Sequence, residues 1–195
     1  SFQIDSGKIV IDGTDVTGLP EHKRAALLGR VFQDPMMGTA PTMQIEENLA
    51  LAARRGQHRG LKWGITKAER AEYRKCLHAL DLGLEDRMTA KAANGARPEP
   101  PAAVRTLRQP LTLLMAALQQ PKLLLLDEHT AALDPRTAAK VLDLSDRIVQ
   151  EHGLTTLMIT HNMKDAIAHG KRLIMMDAGQ VVVDVSGEEK KKLTV

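Results

Sequence analysis

Leu123-Leu124-Leu125-Leu126-Asp127-Glu128 is the stretch that decides the fold. Four leucines in a row are too few for a helix face and fit a central parallel strand buried on both faces. Side chains at the carboxyl end of such a strand reach the crevice where α/β proteins bind ligands. Asp127 is then placed to hold a Mg²⁺ ion, directly or through water. Glu128, next along, is placed to orient or deprotonate an attacking water. Nucleotide hydrolysis needs that pairing, a metal that neutralises phosphate charge and a group that positions the nucleophile. The plainer alternative is a strand that simply ends at the surface.

The flanks repeat the arrangement. Downstream, Thr130-Ala131-Ala132-Leu133-Asp134 follows at once, and Asp134-Pro135 reads as an N-cap with Pro at the first helical position. The helix behind it carries Ala138, Val141, Leu142, Ile148 and Val149 on one stripe. Thr155–Thr160 reads as a second buried strand and ends in His161, which taken alone reads as a structural histidine. Upstream, Arg30–Gln33 is a short buried-strand candidate ending in Gln33, followed by Asp34-Pro35. Three parallel-strand candidates therefore each deliver a polar side chain to one edge. Strand, helix, strand, helix argues for a parallel sheet with crossover helices.

The remaining segments read locally. Lys8–Asp12 is β-rich and ends in an Asp12-Gly13 turn. Gln44–Arg55 has helical spacing, and Thr66-Lys67-Ala68-Glu69 is a capping box opening a helix to about Leu80. Ala92–Pro110 holds four prolines and no periodicity and is expected to be a loop; Leu111–Leu118 resumes a helix. Leu173–Asp177 and Gln180–Val185, joined across Ala178-Gly179, read as a hairpin, and Ser186-Gly187-Glu188-Glu189 caps a short basic tail.

Together these motifs resemble the ABC-type ATPase domain of the P-loop NTPase superfamily. Leu123–Glu128 resembles its Walker B strand, Ala132-Leu133-Asp134 its D-loop and Ile159-Thr160-His161 its H-loop. Val31-Phe32-Gln33-Asp34-Pro35 resembles the Q-loop, and Asp12–Thr17 the β-subdomain segment before it. The match runs through nearly the whole chain in the family's order. The resemblance implies an α/β fold, a parallel-sheet P-loop NTPase core with an α-helical subdomain and remnants of an antiparallel β-subdomain. It implies one domain over 1–195: a β-subdomain remnant and Q-loop at 1–39, a helical subdomain at 40–118 with an irregular 92–110 loop, and a core at 119–195.

It also assigns roles. Gln33 is expected to contact Mg²⁺ and the attacking water and to couple the site to a membrane partner. Asp127 is expected to support Mg²⁺, Glu128 to be the catalytic base, and His161 to contact the γ-phosphate. Asp134 is expected to reach across a dimer interface. His129 stands where the family usually has Pro, a departure the sequence alone does not explain.

Two family parts are missing from the sequence. No G-x-x-x-x-G-K-[ST] occurs, and Ser6-Gly7-Lys8 leads into a strand and lacks the upstream glycine. The phosphate loop of the family precedes the segment matched at residue 1, so the chain is expected to be truncated there and inactive by itself, without its main phosphate cradle. The Leu-Ser-Gly-Gly-Gln signature is expected between Lys91 and Leu111, and Pro-rich sequence stands in its place. One explanation is a local reading-frame slip: TCC-GGC-GGC read one nucleotide late gives Pro-Ala-Ala, as in Pro101-Ala102-Ala103, with Arg108-Gln109 the restored end of the motif. The other is an inserted loop.

Composition is that of an ordinary globular chain. The 195 residues are 43% apolar and 26% charged, with aromatics at only 2%, so the core is built from Leu, Ile, Val, Met and Ala. A net charge of +3 without a basic arm interleaved with aromatics gives no nucleic-acid signal. The basic stretch around Trp63 reads as a solvated face, and the lone Cys76 as a helix residue. No apolar run approaches a membrane span. Met36, Met37 and Met43 flank the Q-loop, where flexible side chains suit either a docking groove for a membrane subunit or ordinary packing.

The expected function is the ATP-binding, ATP-hydrolysing subunit of an ABC transporter with ATP and Mg²⁺. A solute importer on the cytoplasmic face of the plasma membrane fits best. Its expected partners are a second ATP-binding subunit, transmembrane permease subunits and a solute-binding protein. A non-transport ABC ATPase of DNA repair or translation and a non-functional fragment are the alternatives.

Overall fold

A computed structural model of the chain describes residues 4–57, 64–80, 82–90 and 101–194, the side chains of 35 and 101–107 excepted. Asp12 and Gly13 both take positive φ, 49° and 74°, as the central pair of a tight hairpin turn must when its twist matches the flanking strands. The turn joins β1 (Val10–Ile11) to β2 (Thr14–Asp15) in an antiparallel pair, the small β-subdomain piece. Helix α1 (Glu21–Ala25) leads into β3 (Leu28–Val31).

Strand β3 lies parallel to β4 (Leu123–Asp127), with Leu28 opposite Leu123 and Val31 opposite Leu126. With β5 (Thr156–Ile159) they form a sheet in the order β3-β4-β5. Side chains alternate between faces. Gly29, Val31, Leu124 and Leu126 are buried together, while Leu28, Leu123, Leu125 and Asp127 on the other face are half-buried and Arg30 is exposed. The expectation of a β4 buried on both faces holds for one face only. The expectation for β5 needs a larger correction: Leu157 and Ile159 are 50% and 53% exposed. Thr156 and Met158, on the other face, are half-buried, so one face of β5 is left uncovered among the described residues.

A helical layer covers the buried face. Asp34 accepts the Met36 N–H at 2.9 Å and caps a 3₁₀ turn, Pro35–Gly38. Helix α2 (Ile45–Ala53) and helix α3 (Lys67–His78) follow. The α3 capping box forms as read: Thr66 Oγ1 accepts the Glu69 N–H at 3.2 Å, and Glu69 accepts the Thr66 N–H at 2.7 Å. Glu46, nearly fully buried on α2, is held by both arms of Arg70 on α3 at 2.7 Å each.

Residues 101–110, expected as a loop, are helical: α4 runs Pro101–Ala117. Pro101 occupies the first turn, where a missing N–H costs nothing, and good helix formers follow it. The internal Pro110 removes one helical hydrogen bond but is fully buried in the core, and Thr112 Oγ1 donates to the Gln109 carbonyl at 2.8 Å. Leu111, Leu113 and Leu114 of α4 join Leu49, Leu77, Leu84, Leu124 and Leu126 in one apolar cluster. Helix α4 passes so near β3 that a Cβ on Gly29 would lie 2.6 Å from the Ala116 carbonyl oxygen. Residues 92–100 of the expected 92–110 loop and Trp63 lie outside the described residues, whereas Pro101-Ala102-Ala103 and Arg108-Gln109 belong to α4.

Helix α5 (Pro135–His152) starts at Asp134, whose Oδ1 accepts the Thr137 N–H at 3.1 Å, and ends at Gly153 in the left-handed conformation, φ 60°. Val141, Leu142, Leu144, Ser145 and Ile148 are its buried residues. Cys76 is half-buried on α3, and burial pushes its thiol pKa up, the setting of an inert cysteine.

The chain divides into two compact units, Ser1–Met158 and Ile159–Val195. In the second, α6 (Met163–Ala168) precedes an antiparallel hairpin of β6 (Arg172–Asp177) and β7 (Gln180–Ser186). Its turn, Ala178 and Gly179, again has positive φ at both positions, 45° and 80°. Helix α7 (Gly187–Lys191) closes the chain. Ser186 makes no side-chain cap bond there, contrary to expectation. The anchor is Lys190, buried, whose ammonium donates to the carbonyls of His169 and Gly170.

Candidate active site

Parallel pairing of β3 with β4 puts the ends of both strands at one edge of the sheet. Asp127 is the last residue of β4, and Gln33 lies two residues beyond Val31, the last of β3. Asp127 shares its face with Arg30, and Arg30 Nη2 donates to Asp127 Oδ2 at 2.9 Å. The same guanidinium stacks on Phe32, 4.5 Å from the ring centroid. The Arg30 and Asp127 side chains are 51% and 36% exposed, so the pair contributes at most about 1 kcal/mol to stability. Its consequence is local: a cation already faces the carboxylate expected to support Mg²⁺.

Glu128 leaves the strand with φ 44°. The left-handed region is unfavourable for a residue with a Cβ by roughly 1–2 kcal/mol, so its surroundings must hold it there. Turns follow, with the Ala131 N–H on the Glu128 carbonyl at 3.0 Å and the Leu133 N–H on the Thr130 carbonyl at 3.1 Å. They lead to Asp134. Its carboxyl is held below the usual range by the Thr137 hydroxyl and then the Thr137 N–H. His129 is buried, with Nε2 3.0 Å from Ser145 Oγ on α5.

Gln33 is exposed, and its backbone is held from below. Gln109 on α4, 1% exposed, donates Nε2 to the Phe32 carbonyl at 3.2 Å, while its Oε1 has no partner among the described residues. After the 3₁₀ turn, the side chain of buried Asn48 accepts the Ala40 N–H at 2.7 Å and donates to the carbonyls of Ala40, Met43 and Gln44. Gly38 sits against α4, where a Cβ would approach Thr112 Cγ2 to 2.8 Å. The Q-loop backbone is thus clamped on both sides. Beyond it, Met36 and Met37 are 51% and 70% exposed, whereas Met43 is half-buried.

Of the residues singled out in the sequence, Gln33, Asp127 and Glu128 come to one strand edge within the first unit. Asp134 stands further along the same segment as the cap of α5. His161 is exposed and belongs to the second unit, two residues past β5. Among the described residues no cluster of three or more His, Cys, Asp or Glu side chains is placed to hold a metal ion. One strand-end carboxylate with a nearby amide suits Mg²⁺ that arrives with phosphate and water and takes few protein ligands. The donor set therefore fits Mg²⁺ that arrives with a nucleotide. Arg30, Asn48 and Ser145 were not singled out in the sequence, and His129 and Gln109 were noted there without these partners. The one local signal was parity: Arg30 stands an even number of places from Phe32 on a short strand.

No family model matches the chain. An ATP-binding cassette solved as a dimer in a post-hydrolysis state with ADP and phosphate bound superposes with a TM-score of 0.70 at 25% identity. That match covers 93% of this chain and 74% of the other. The fold is that of the ABC type of P-loop NTPase, an α/β domain with a parallel sheet. A tyrosine transport ATP-binding protein of Clostridioides difficile is 45% identical over 193 residues, covering 97% of this chain and 72% of that protein. A methionine import ATP-binding protein of Rhizobium johnstonii is 35% identical over 181 residues, and an aliphatic sulfonates import ATP-binding protein of Agrobacterium fabrum 29% over 186. The chain belongs to the ATP-binding proteins of ABC transporters. It spans 45% of the methionine relative and 60% of the sulfonate relative.

Proposed function

We propose that this chain supplies the catalytic edge of an ABC transporter ATPase, and that the transporter is a solute importer. The observation that carries it is the parallel β3–β4 pair, which delivers Gln33 and Asp127-Glu128 to one edge of the sheet. Glu128 acts as the base that takes the proton of the attacking water, and Gln33 orients that water. Asp127 and Gln33 would hold the Mg²⁺ that accompanies ATP, and the ion would supply charge neutralisation on the phosphates. His161 contacts the γ-phosphate, and Asp134 faces a second ATP-binding subunit. The importer reading is supported by relatives whose names describe import of methionine and sulfonates.

The exposed Met36 and Met37, beside the clamped Q-loop, form the surface on which a transmembrane permease subunit docks, with a solute-binding protein as the further partner. Among the described residues no helix is long and apolar enough to cross a membrane, and attachment through the permease at the cytoplasmic face of the plasma membrane accords with that. An amino-acid solute is supported by relatives whose names describe tyrosine transport and methionine import.

The 195 residues contain no G-x-x-x-x-G-K-[ST], so by themselves they do not turn ATP over. The test compares ATP binding and hydrolysis by this chain with a version carrying a family-like phosphate-loop segment at its start and an in-frame signature. Hydrolysis by the restored chain alone, abolished by Glu128→Gln, supports the reading. Hydrolysis by the chain as given, or full activity of the Glu128→Gln variant, overturns it.

A further inference from the structure

His129 occupies the position where this family usually has proline, directly after the proposed base. A proline at 129 would fix its own φ and push Glu128 toward extended backbone with negative φ. Histidine has no such ring closure. Yet the turn here is demanding, because Glu128 holds φ 44° without being glycine. Something else must over-determine it.

The side chain of His129 is in a position to do so. It is 2% exposed, and its Nε2 lies 3.0 Å from Oγ of Ser145, itself 4% exposed on α5. Ser145 Oγ donates its single hydrogen to the Val141 carbonyl at 2.8 Å, one helical turn back. A hydroxyl has one proton to give. The His129 contact must therefore run the other way, with Nε2–H donating to Ser145 Oγ. With the ring protonated at Nε2, a chain of two buried hydrogen bonds runs from the turn into the backbone of α5. The same helix is capped at its start by Asp134, so the segment 129–134 is pinned to α5 at both ends.

We infer that His129 is a positioning residue for Glu128: its buried hydrogen bond to Ser145 anchors the turn to α5 and holds Glu128 in the left-handed conformation. The inference rests on the assignment of Glu128 as the base for its functional meaning, but its structural content is testable without turnover.

The experiment uses the full 195-residue chain, labelled with ¹⁵N and ¹³C, as wild type and as Ser145→Ala, His129→Ala and His129→Gln. The Gln side chain can place an N–H donor near the position of the histidine Nε2. Three quantities are read: the ring ¹⁵N shifts of His129, the strong intraresidue amide–Hα cross-relaxation that marks positive φ at Glu128, and amide hydrogen exchange. The wild-type ring is expected to be protonated at Nε2. In Ser145→Ala and His129→Ala the Glu128 cross-relaxation weakens, and exchange at Ala131 rises about fivefold to tenfold, the effect of losing one buried hydrogen bond. Exchange in α2 and α3 stays unchanged, and His129→Gln stays near wild type. A wild-type ring protonated only at Nδ1 overturns the inference. So does an unaltered Glu128 signal in Ser145→Ala, or an exchange increase that spreads equally to α2 and α3. If His129→Ala does not fold, Ser145→Ala decides, since it leaves the ring in place. Loss of ATP turnover in a phosphate-loop-restored chain carrying Glu128→Gln bears on the catalytic assignment alone, so the two can fail separately.

Discussion

The two faces of the β3–β4 pair are built from alternate residues of the same short strands and do different jobs. Gly29, Val31, Leu124 and Leu126 face the helical layer and are buried, with α4 in backbone-close contact at Gly29. Arg30, Leu125 and Asp127 face the other way and remain partly exposed. The pleat lets one strand anchor itself and present chemistry, because a strand end is only as well placed as the strand behind it is immobile. Stability lies on one face and charge on the other, one residue apart.

That division can be broken by mutation. Leu124→Ala, on the buried face, is expected to cost about 2–5 kcal/mol in urea unfolding, through lost burial and the cavity left behind. A cost below that of an exposed substitution would mean the helical layer does not rest on this strand. Gly29→Ala comes next, at about 1–3 kcal/mol, because the new methyl meets the Ala116 carbonyl oxygen at 2.6 Å and Pro121 Cγ at 2.8 Å. The carbonyl belongs to a packed helix and yields poorly. A neutral outcome would show that α4 can move away from β3.

Arg30→Met tests the opposite face. It is expected to change stability by no more than about 1 kcal/mol, and a double-mutant cycle with Asp127→Asn should give a coupling of about 0.2–1 kcal/mol that shrinks in high salt. A cost matching Leu124→Ala would erase the distinction between the faces.

A last test lies away from both faces and serves as a control. Hydrogen bonds from Arg54 first, and then from Thr66, lower the Glu69 pKa from 4.5 to about 2. A depressed folded-state pKa means the unfolded chain binds the proton first as pH falls. The stability from this carboxylate is complete above pH 4.5 and is lost between there and about 2. Denaturant midpoints at pH 6 and pH 3 should differ less in Glu69→Gln than in the wild type. Equal differences would show that the Arg54–Glu69 pair has no part in acid sensitivity.

Much of this architecture is legible in the sequence. The Thr66–Glu69 capping box, the Asp134 N-cap and the two positive-φ hairpin turns depend on residues within three places of one another, and they form as the local chemistry dictates. The run Leu123–Leu126 ending in Asp127 was readable for the same reason, as pattern along one strand. Sequence reasoning failed where a residue's meaning depended on its neighbours in space. Pro110 reads as a breaker, yet burial in the core keeps it within α4. Thr155–Thr160 reads as buried, yet one face of β5 carries Leu157 and Ile159 at 50% and 53% exposure.

The sequence by itself determined the α/β order of elements, the caps and turns, and which polar residues end the strands, because each of these follows from backbone preferences and periodicity over a few residues. Only the tertiary structure decided what holds those residues. Arg30 meets Asp127 across 97 positions, Gln109 meets the Phe32 carbonyl across 77, and His129 meets Ser145 across 16. A hydrogen bond is made by atoms about 3 Å apart whatever their separation along the chain. No local pattern records such a pairing until the fold closes the distance.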